Sequence, residues 1–382
     1  MIFDYSDEQQ QLADSVRKYL GNAYDFEKRK AILNSASGIS EPVWAAFAEM
    51  GLTAIALPEA DGGFGGGAVD LMAVMEACGE ALVVEPLLDV VGLASRLVAR
   101  AGSAAQRAAL LPGVIDGSMR LAFASTEAGG RYDLAPAVTT ARAVGDGWLL
   151  DGDKRVVVGA SSAQWLIVSA RTDGRTDART GDAQGVSLFI VDPKAPGVSL
   201  NPSRTVDGLR VADVRLAGVV LGADALLGPL GGAMPHLEEA ADFACALLCA
   251  DAIGAMKSAN DATLDYLKQR KQFGVPIASF QVLQHRMVEM VIATEQARSM
   301  AILAASTVDA GGESAARSRA VSAAKIKIGD AARLVSQESV QLHGGMGMSE
   351  ELKVSHTFRR LTMAAQRFGD VDHHLARYAV LG

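Results

Sequence analysis

The chain has 382 residues and a formal net charge of −8; 49% of its residues are hydrophobic, 5% aromatic and 21% charged. This length allows two or three domains, and the apolar fraction is enough for a buried core, which excludes a disordered chain. The acidic balance argues against nucleic acid as a partner, because nucleic-acid binding requires a basic face.

The sequence also argues against a membrane or secreted protein. Its most apolar helical run, residues 243–250, lies between Asp242 and Asp251 and is too short to cross a bilayer. The first residues are acidic, unlike those of a signal peptide. Cys245 and Cys249 share an apolar helix face, and the cysteines lack disulfide or zinc spacing, so we expect packing roles and no metal site. We predict a cytoplasmic protein without a membrane partner.

The N-terminal part, residues 1–118, is predicted to be a helical domain. Ser6 and Gln9 match a capping box, and Ser40 followed by Glu-Pro opens a further helix. Helices are also expected over 68–82, 87–101 and 104–111. The glycine run at 62–67 suggests a phosphate loop, but it lacks the Lys-Ser/Thr pair and the strand–helix context of that motif. We interpret it as a turn between helices.

From residue 119 to 230 the pattern changes to short β-branched and aromatic runs separated by turn dipeptides such as Asp146-Gly147 and Asp151-Gly152. Seven runs without helices predict a small β-barrel or sandwich. They begin at Leu121, Val138, Trp148, Arg155, Trp165, Gly185 and Val211. The polar stretch 172–184 is predicted to be a surface loop.

Residues 231–382 are predicted to be helical. One helix ends in a basic turn containing Arg270 and Lys271, where positive charge suits the helix dipole. Gly274 and Pro276 then stop that helix, and Ser279 is the expected N-cap of the next one.

The order of the three regions gives the fold class. A long Ala-rich helix is expected over 315–342, closed by Gly344 and Gly345. Helical, β and helical regions in succession predict an α+β chain with domains 1–118, 119–230 and 231–382.

Two C-terminal motifs carry a family resemblance. The first is RKQFGVPI at residues 270–277, followed by Phe-Gln and Gln-His, and the second is QLHGGMG at residues 341–347. In sequence, order and separation they resemble the signatures of the acyl-CoA dehydrogenase flavoenzymes. The resemblance covers essentially the whole chain. It implies a helical N-terminal domain, a central β domain and a C-terminal four-helix bundle, with α,β-desaturation of an acyl-CoA thioester by FAD.

The resemblance implies that these motifs reach FAD bound mainly to a neighbouring subunit. Arginine suits the FAD diphosphate because its planar fork pairs with two oxygens, and glycines let the backbone approach a cofactor. The alternatives are a solvated cation and a simple helix cap. The implied FAD contacts are Arg270, Gln272, Phe273, Gln341, Gly344 and Gly345.

The matching motifs of the β domain depart from the family pattern. Residues 125–133 read STEAGGRYD where the family has Thr-Glu-Pro and then Gly-Ser-Asp. Residues 152–159 read GDKRVVVG where the family has Gly-x-Lys-x-Trp-Ile-Thr-Asn. Val156 and Val158 therefore occupy the positions of a tryptophan and a threonine that touch the flavin in the family.

The family's catalytic glutamate is also replaced. Its motif, Tyr/Phe-Glu-Gly-Thr, corresponds to QRFGD at residues 366–370, which places Phe368 at the glutamate position. A second subgroup carries its glutamate on the first helix of the C-terminal domain, two residues from Asp242. Asp242, Asp370 and Asp372 are the nearby carboxylate candidates for the base, each offset. The alternative for all three is a solvated or capping aspartate.

Histidines give a weaker signal. His343 belongs to the second motif and is expected either to cap a helix end or to approach the cofactor. His373 and His374 have no metal spacing and are expected at the surface.

With these losses, the chain resembles the small subunit of heteromeric acyl-CoA dehydrogenases that act on dicarboxyl (pimeloyl-CoA) or steroid side-chain thioesters. The resemblance implies an acyl-CoA substrate, a sister subunit that supplies the glutamate or else a homo-oligomer, and electron-transfer flavoprotein as electron acceptor. Two alternatives stay open. One is a self-sufficient dehydrogenase that uses an offset aspartate, and the other is a non-redox acyl-CoA-binding or assembly protein, which copurified flavin would exclude.

Overall fold

The computed structural model describes residues 5–136, 138–173 and 183–381, so most of the loop predicted at 172–184 lies outside the described residues. The chain divides into two compact units that interleave along the sequence. The first unit comprises Met1–Ala31, Gly67–Val83 and Cys245–Gly382, and the second comprises Ile32–Gly66 and Val84–Ala244. The domains 1–118, 119–230 and 231–382, which follow chain order, stay a prediction.

In chain order, helices precede and follow a run of strands, which confirms the α+β class. The helices are α1 (Asp7–Ala23), α2 (Phe26–Asn34), α3 (Glu41–Glu49), α4 (Ala68–Ala81), α5 (Ser95–Ala101), α6 (Ala104–Ile115), α7 (Met234–Gln269), α8 (Gln281–Asp309), α9 (Ser314–His343), α10 (Lys353–Gln366) and α11 (Val371–Val380). Across the parts of the chain that the structure describes, none of them combines the length and apolarity needed to span a membrane.

The helix starts predicted at Ser6 and Ser40 are confirmed. The Ser6 hydroxyl accepts the Gln9 N–H at 3.2 Å and the Gln9 side chain accepts the Ser6 N–H at 2.9 Å, which completes the capping box of α1. Ser40 caps α3. The helix predicted over 87–101 begins instead as a π-helix, Leu88–Ala94, whose residues are all buried, and becomes α-helical at α5.

Within the first unit, α4 and α7 touch through their backbones. A Cβ on Gly79 would lie 1.9 Å from the Asp251 carbonyl oxygen, and one on Gly254 would lie 1.9 Å from that of Glu76. Only glycine permits this approach. The buried Arg360 guanidinium pairs with both oxygens of Asp251 at 2.7 and 2.9 Å, which satisfies a carboxylate that would be costly to bury alone.

The second unit contains one eight-stranded sheet. Its strands are β1 (Leu121–Ala124), β2 (Thr140–Val144), β3 (Gly147–Val158), β4 (Trp165–Arg171), β5 (Val186–Val191), β6 (Val198–Arg204), β7 (Arg210–Leu221) and β8 (Leu226–Leu227). The order is β6-β7-β3-β2-β4-β5-β8, with β1 parallel to β4. The core side chains include Leu150, Leu166, Phe189 and Val214, all buried.

The structure corrects two strand predictions. The runs predicted at Trp148 and Arg155 form a single strand, β3, because Asp151-Gly152 makes an irregularity in the β3–β7 register instead of a turn. Strand β6 was not predicted, because Val198–Arg204 is mostly exposed and lacks the apolar alternation of a half-buried strand.

Candidate functional site

The motif at residues 270–277 forms a short hairpin. Strand β9 (Lys271–Gln272) pairs antiparallel with β10 (Val275–Pro276). The two residues between them, Phe273 and Gly274, have φ values of 55° and 82°. Positive φ at both loop residues is the requirement of a type I′ turn, which closes a two-residue hairpin. The motif therefore presents its side chains on a tight turn.

This hairpin corrects the predicted helix end and helix start. The Arg270 N–H still bonds the Tyr266 carbonyl at 2.8 Å, but α7 ends at Gln269 and Lys271 is already in β9. Ser279 is not an N-cap: its hydroxyl donates to the Pro276 carbonyl at 2.8 Å and so closes a turn before α8.

The hairpin side chains implied to reach FAD are exposed. Arg270 and Gln272 are exposed, and the Phe273 ring is 91% exposed. Among the described residues, the Arg270 guanidinium forms no ion pair. A left-handed conformation costs an ordinary residue about 1–2 kcal/mol, so Phe273 is unfavourable in both backbone and exposure within this chain alone.

The second motif follows the end of α9. Gly344 has φ 62°, and a Cβ added to Gly344 or Gly345 would meet nothing within 4 Å. Gln341 is exposed. This part of the backbone is therefore open to close approach by a large planar or anionic group, which is the space that a cofactor needs.

His343 joins the two motifs within the first unit. Its ring is buried and stacks on Tyr266, one turn before Arg270, with centroids 4.4 Å apart and an interplanar angle of 25°. Burial lowers the pKa of His343, so the ring is neutral at pH 7 and its Nδ1 donates to the Ser339 carbonyl at 2.7 Å. This contact in the last turn of α9 agrees with the helix-end role predicted for His343, and its approach to the cofactor stays a prediction.

In the second unit, the motif at residues 125–133 borders a cavity of ≈ 260 Å³. Its lining residues are Ser125, Glu127, Ala128, Gly129, Gly130, Asp133 and Ala135. The Glu127 carboxylate accepts the Val138 and Thr139 N–H groups at 2.7 and 2.9 Å and the Lys154 ammonium at 2.9 Å. These bonds fix the wall of the cavity.

Glu127 and Lys154 form a buried ion pair whose importance the sequence did not reveal. Burial alone would raise the pKa of Glu127, but the Lys154 charge and the N–H donors hold it at about 2. Burial lowers the pKa of Lys154 to about 8, against the opposing charge of Glu127. Both groups are therefore charged at pH 7, and removing either one would leave an uncompensated buried charge.

Val156 lies in a bulge of β3 next to this pair. The register of β3 on β7 shifts between Lys154 and Val157, and Val156 has φ 53° with 53% of its surface exposed. Its N–H donates to the Asp213 carboxylate at 3.0 Å. A β-branched residue in this conformation is an outlier. The bulge presents an isopropyl group where the resemblance implies an aromatic wall.

The three candidate aspartates have different environments. Asp370 caps α11 by accepting the His373 N–H at 2.8 Å, and Asp372 is exposed. Asp242 is only 1% exposed and lies inside α7, so the solvated-or-capping alternative is wrong for it. Phe368, at the expected glutamate position, is half-buried with φ 58°.

The predicted surface location is wrong for His374, which is buried. Its Nε2 bonds the Phe368 carbonyl at 3.0 Å and its Nδ1 faces the Ser322 hydroxyl at 3.2 Å. Residues 371, 374 and 378 are spaced to lie on one face of α11, and α11 packs along α9. That helical spacing was the sequence signal for the burial of His374.

Backbone strain marks the same segments that the sequence singles out. Among the described residues, those other than glycine with positive φ are Leu82, Arg131, Val156, Phe273 and Phe368. Leu82 is a helix C-cap. The other four lie one each in the segments that the sequence singles out at residues 125–133, 152–159, 270–277 and 366–370. Strained conformations persist mainly where the surroundings enforce them, and they concentrate at functional sites.

Comparison with known proteins identifies the family. The chain matches models of the acyl-CoA dehydrogenase N-terminal domain over residues 6–118, middle domain over 122–219 and C-terminal domain over 235–376. The chain therefore belongs to the acyl-CoA dehydrogenase family.

Individual relatives agree. The chain is 33% identical over 361 residues to acyl-CoA dehydrogenase fadE12 of Mycobacterium bovis, which covers 92% of this chain and 90% of that protein. It is 29% identical over 326 residues to the 3-(aryl)acrylate reductase of Clostridium sporogenes, covering 83% and 84%. The solved structure of a variant of the Tcur3481-Tcur3483 steroid ACAD is 31% identical with a TM-score of 0.86, covering 98% of this chain and 97% of that one.

Family membership makes the protein a flavin-dependent enzyme with FAD as cofactor. When bound, FAD supplies the hydride acceptor that no side chain can provide. The open backbone at Gly344 and Gly345 and the exposed Arg270 guanidinium fit such a group. In this family the reaction is α,β-dehydrogenation of an acyl-CoA thioester.

Replacing Phe273 by glycine should stabilise the flavin-free protein relative to Phe273→Ala by about 1 kcal/mol. Both variants lose the same ring, but only glycine adopts positive φ without strain. Urea unfolding of the two variants measures the difference. Equal free energies of unfolding would mean that residue 273 is not held in the left-handed conformation.

Proposed function

We propose that this chain is the supporting subunit of a heteromeric FAD-dependent acyl-CoA dehydrogenase. It donates Arg270, Gln272, Phe273 and the 341–345 segment to FAD bound mainly by a sister chain, and the sister supplies the carboxylate base. The observation that carries the proposal is the contrast between an exposed, strained donating hairpin and a receiving strand and base loop that hold Val156 and Phe368.

The donating half is suited to a neighbour. Phe273 is 91% exposed on a strained turn, and Arg270 is an exposed cation. A partner that covers the ring and offers phosphate oxygens to the guanidinium would offset the cost of both. This supports an oligomer in which the chain completes another subunit's site.

The receiving half is poorly suited to its own flavin. Val156 offers neither an aromatic surface nor a hydrogen-bond donor in its side chain, and Val158 offers no hydroxyl. The phenyl ring of Phe368 cannot accept a proton, and a positioned general base typically contributes about 10²–10⁴-fold to a rate. A sister chain with an intact motif would supply all three functions.

Two relatives guide the choice of substrate and of electron acceptor. The steroid ACAD structure carries the names of two proteins, Tcur3481 and Tcur3483, and shares 31% identity with this chain. It supports a bulky steroid side-chain thioester over a dicarboxyl one. The "Caffeyl-CoA reductase-Etf complex subunit CarC" of Acetobacterium woodii, 29% identical over 317 residues, supports electron-transfer flavoprotein as the acceptor. The cytoplasmic location stays a prediction.

A second candidate is a self-sufficient dehydrogenase that uses an aspartate as base. The position of Asp242 inside α7 favours it, because a subgroup of the family carries its glutamate two residues away on this helix and the Asp242 side chain is buried there. Asp370 is a weaker choice for this role because its carboxylate caps α11.

Substituting Arg270 by alanine should weaken FAD binding by about 1.5–3 kcal/mol, the usual value of a hydrogen bond to a charged partner. The measurement is the flavin content and dissociation constant of the assembled oligomer after gel filtration. Lys268→Ala, which removes an exposed cation in the last turn of α7, is the control and should retain FAD. Unchanged affinity in Arg270→Ala would place its guanidinium in solvent.

Flavin bound to the purified chain without its sister should not be reduced by acyl-CoA on the timescale of seconds, because position 368 carries no base. Stopped-flow absorbance of any bound flavin tests this. Rapid bleaching that Asp242→Asn abolishes, and that the exposed Asp265→Asn on the same helix leaves intact, would establish the self-sufficient enzyme instead.

A further inference from the structure

Two buried basic side chains hold the segment between α10 and α11, residues 367–370, which we call the Phe368 loop. Lys325 in α9 is fully buried, and its ammonium donates to the carbonyls of Ala365 at 3.1 Å and Gly369 at 2.7 Å. His374 in α11 bonds the Phe368 carbonyl at 3.0 Å. Since a carbonyl only accepts, Nε2 of His374 carries the proton and Nδ1 can accept from the Ser322 hydroxyl.

The burial of the Lys325 ammonium is energetically unfavourable. Taking an ammonium out of water costs several kcal/mol unless its partners compensate, and here the bonded partners are neutral carbonyls. Within the residues that the structure describes, Lys325 forms no ion pair. An apolar side chain of the same length would fill the space but would leave the Ala365 and Gly369 carbonyls without this donor. The ammonium is therefore a specific hold on the conformation of the loop.

The held conformation is strained at one residue. Phe368 has φ 58° and Gly369 has φ 120°, and a Cβ on Gly369 would lie 2.6 Å from Nε2 of His374. Asp370 then caps α11. Carbonyl bonds at residues 365, 368 and 369 and the cap at 370 together leave residue 368 little freedom, so its ring is directed to one place.

We propose that Lys325 and His374 are positioning residues that hold the Phe368 peptide in its left-handed conformation and thereby fix the side chain at position 368 against the acyl group. This inference rests on the proposed function and on the resemblance, which sets position 368 at the family's catalytic glutamate, the group that acts on the acyl chain. The aromatic ring then occupies the place of the base on this chain, while the sister carries the base that acts.

The first test measures the loop directly. Lys325→Met should increase hydrogen exchange of the amides at residues 366–371 by about tenfold or more, whereas Lys327→Met, a half-buried lysine on the same helix whose ammonium donates to the Gln296 side chain, should not. Combining Lys325→Met with Phe368→Gly should restore much of the protection, because glycine adopts positive φ unaided. Equal exchange in Lys325→Met and the parent chain would overturn the holding role.

The second test measures binding by calorimetry, with hexanoyl-CoA and free coenzyme A as probes and the assembled protein as the sample. Lys325→Met should weaken hexanoyl-CoA binding about tenfold, the scale expected of a small misplacement at a site, and leave coenzyme A unchanged. Lys325→Arg should recover part of the loss. Equal hexanoyl-CoA affinity in Lys325→Met overturns the positioning role, whereas a parent protein that binds no acyl-CoA overturns the proposed function itself.

Discussion

The structure depends on a backbone constraint, which is that residues other than glycine are held at positive φ. This occurs in four of the five motif segments, which are residues 125–133, 152–159, 270–277, 341–347 and 366–370, with 341–347 the exception. Val156, Phe273 and Phe368 each carry a cost of about 1–2 kcal/mol, a notable fraction of the roughly 5–15 kcal/mol by which proteins are usually stable. Each is enforced by named contacts. The Asp213 carboxylate holds the bulge at Val156, the β9–β10 pairing closes the turn at Phe273, and His374 with Lys325 holds Phe368.

These constraints separate two kinds of surface on one chain. The hairpin and the backbone at Gly344 and Gly345 are open and offer a cation, an aromatic ring and uncovered peptide groups to another molecule. The bulge and the Phe368 loop hold strained residues, Val156 and Phe368, whose side chains can neither accept a proton nor form a hydrogen bond. On this contrast we propose that the chain completes a neighbour's flavin site.

Much of the architecture could be predicted from sequence, because caps, helical spacing and turn dipeptides act locally. Ser6, Ser40 and Gly344 each mark a helix boundary through their own hydrogen bonds or backbone freedom. What could not be predicted depends on tertiary partners. The type I′ turn at Phe273, the single strand β3 and the burial of His374 arise from pairing and packing with distant segments. The buried Lys325 had a signal in its place within the apolar face of α9.

We propose that one flavin serves a pair of unlike chains. The direct measurement is the number of FAD molecules per polypeptide chain in the purified complex of this chain and its sister, by absorbance of released flavin against total protein. We expect a ratio near one half. A ratio near one, together with full dehydrogenase activity from this chain in the absence of any sister, would contradict it.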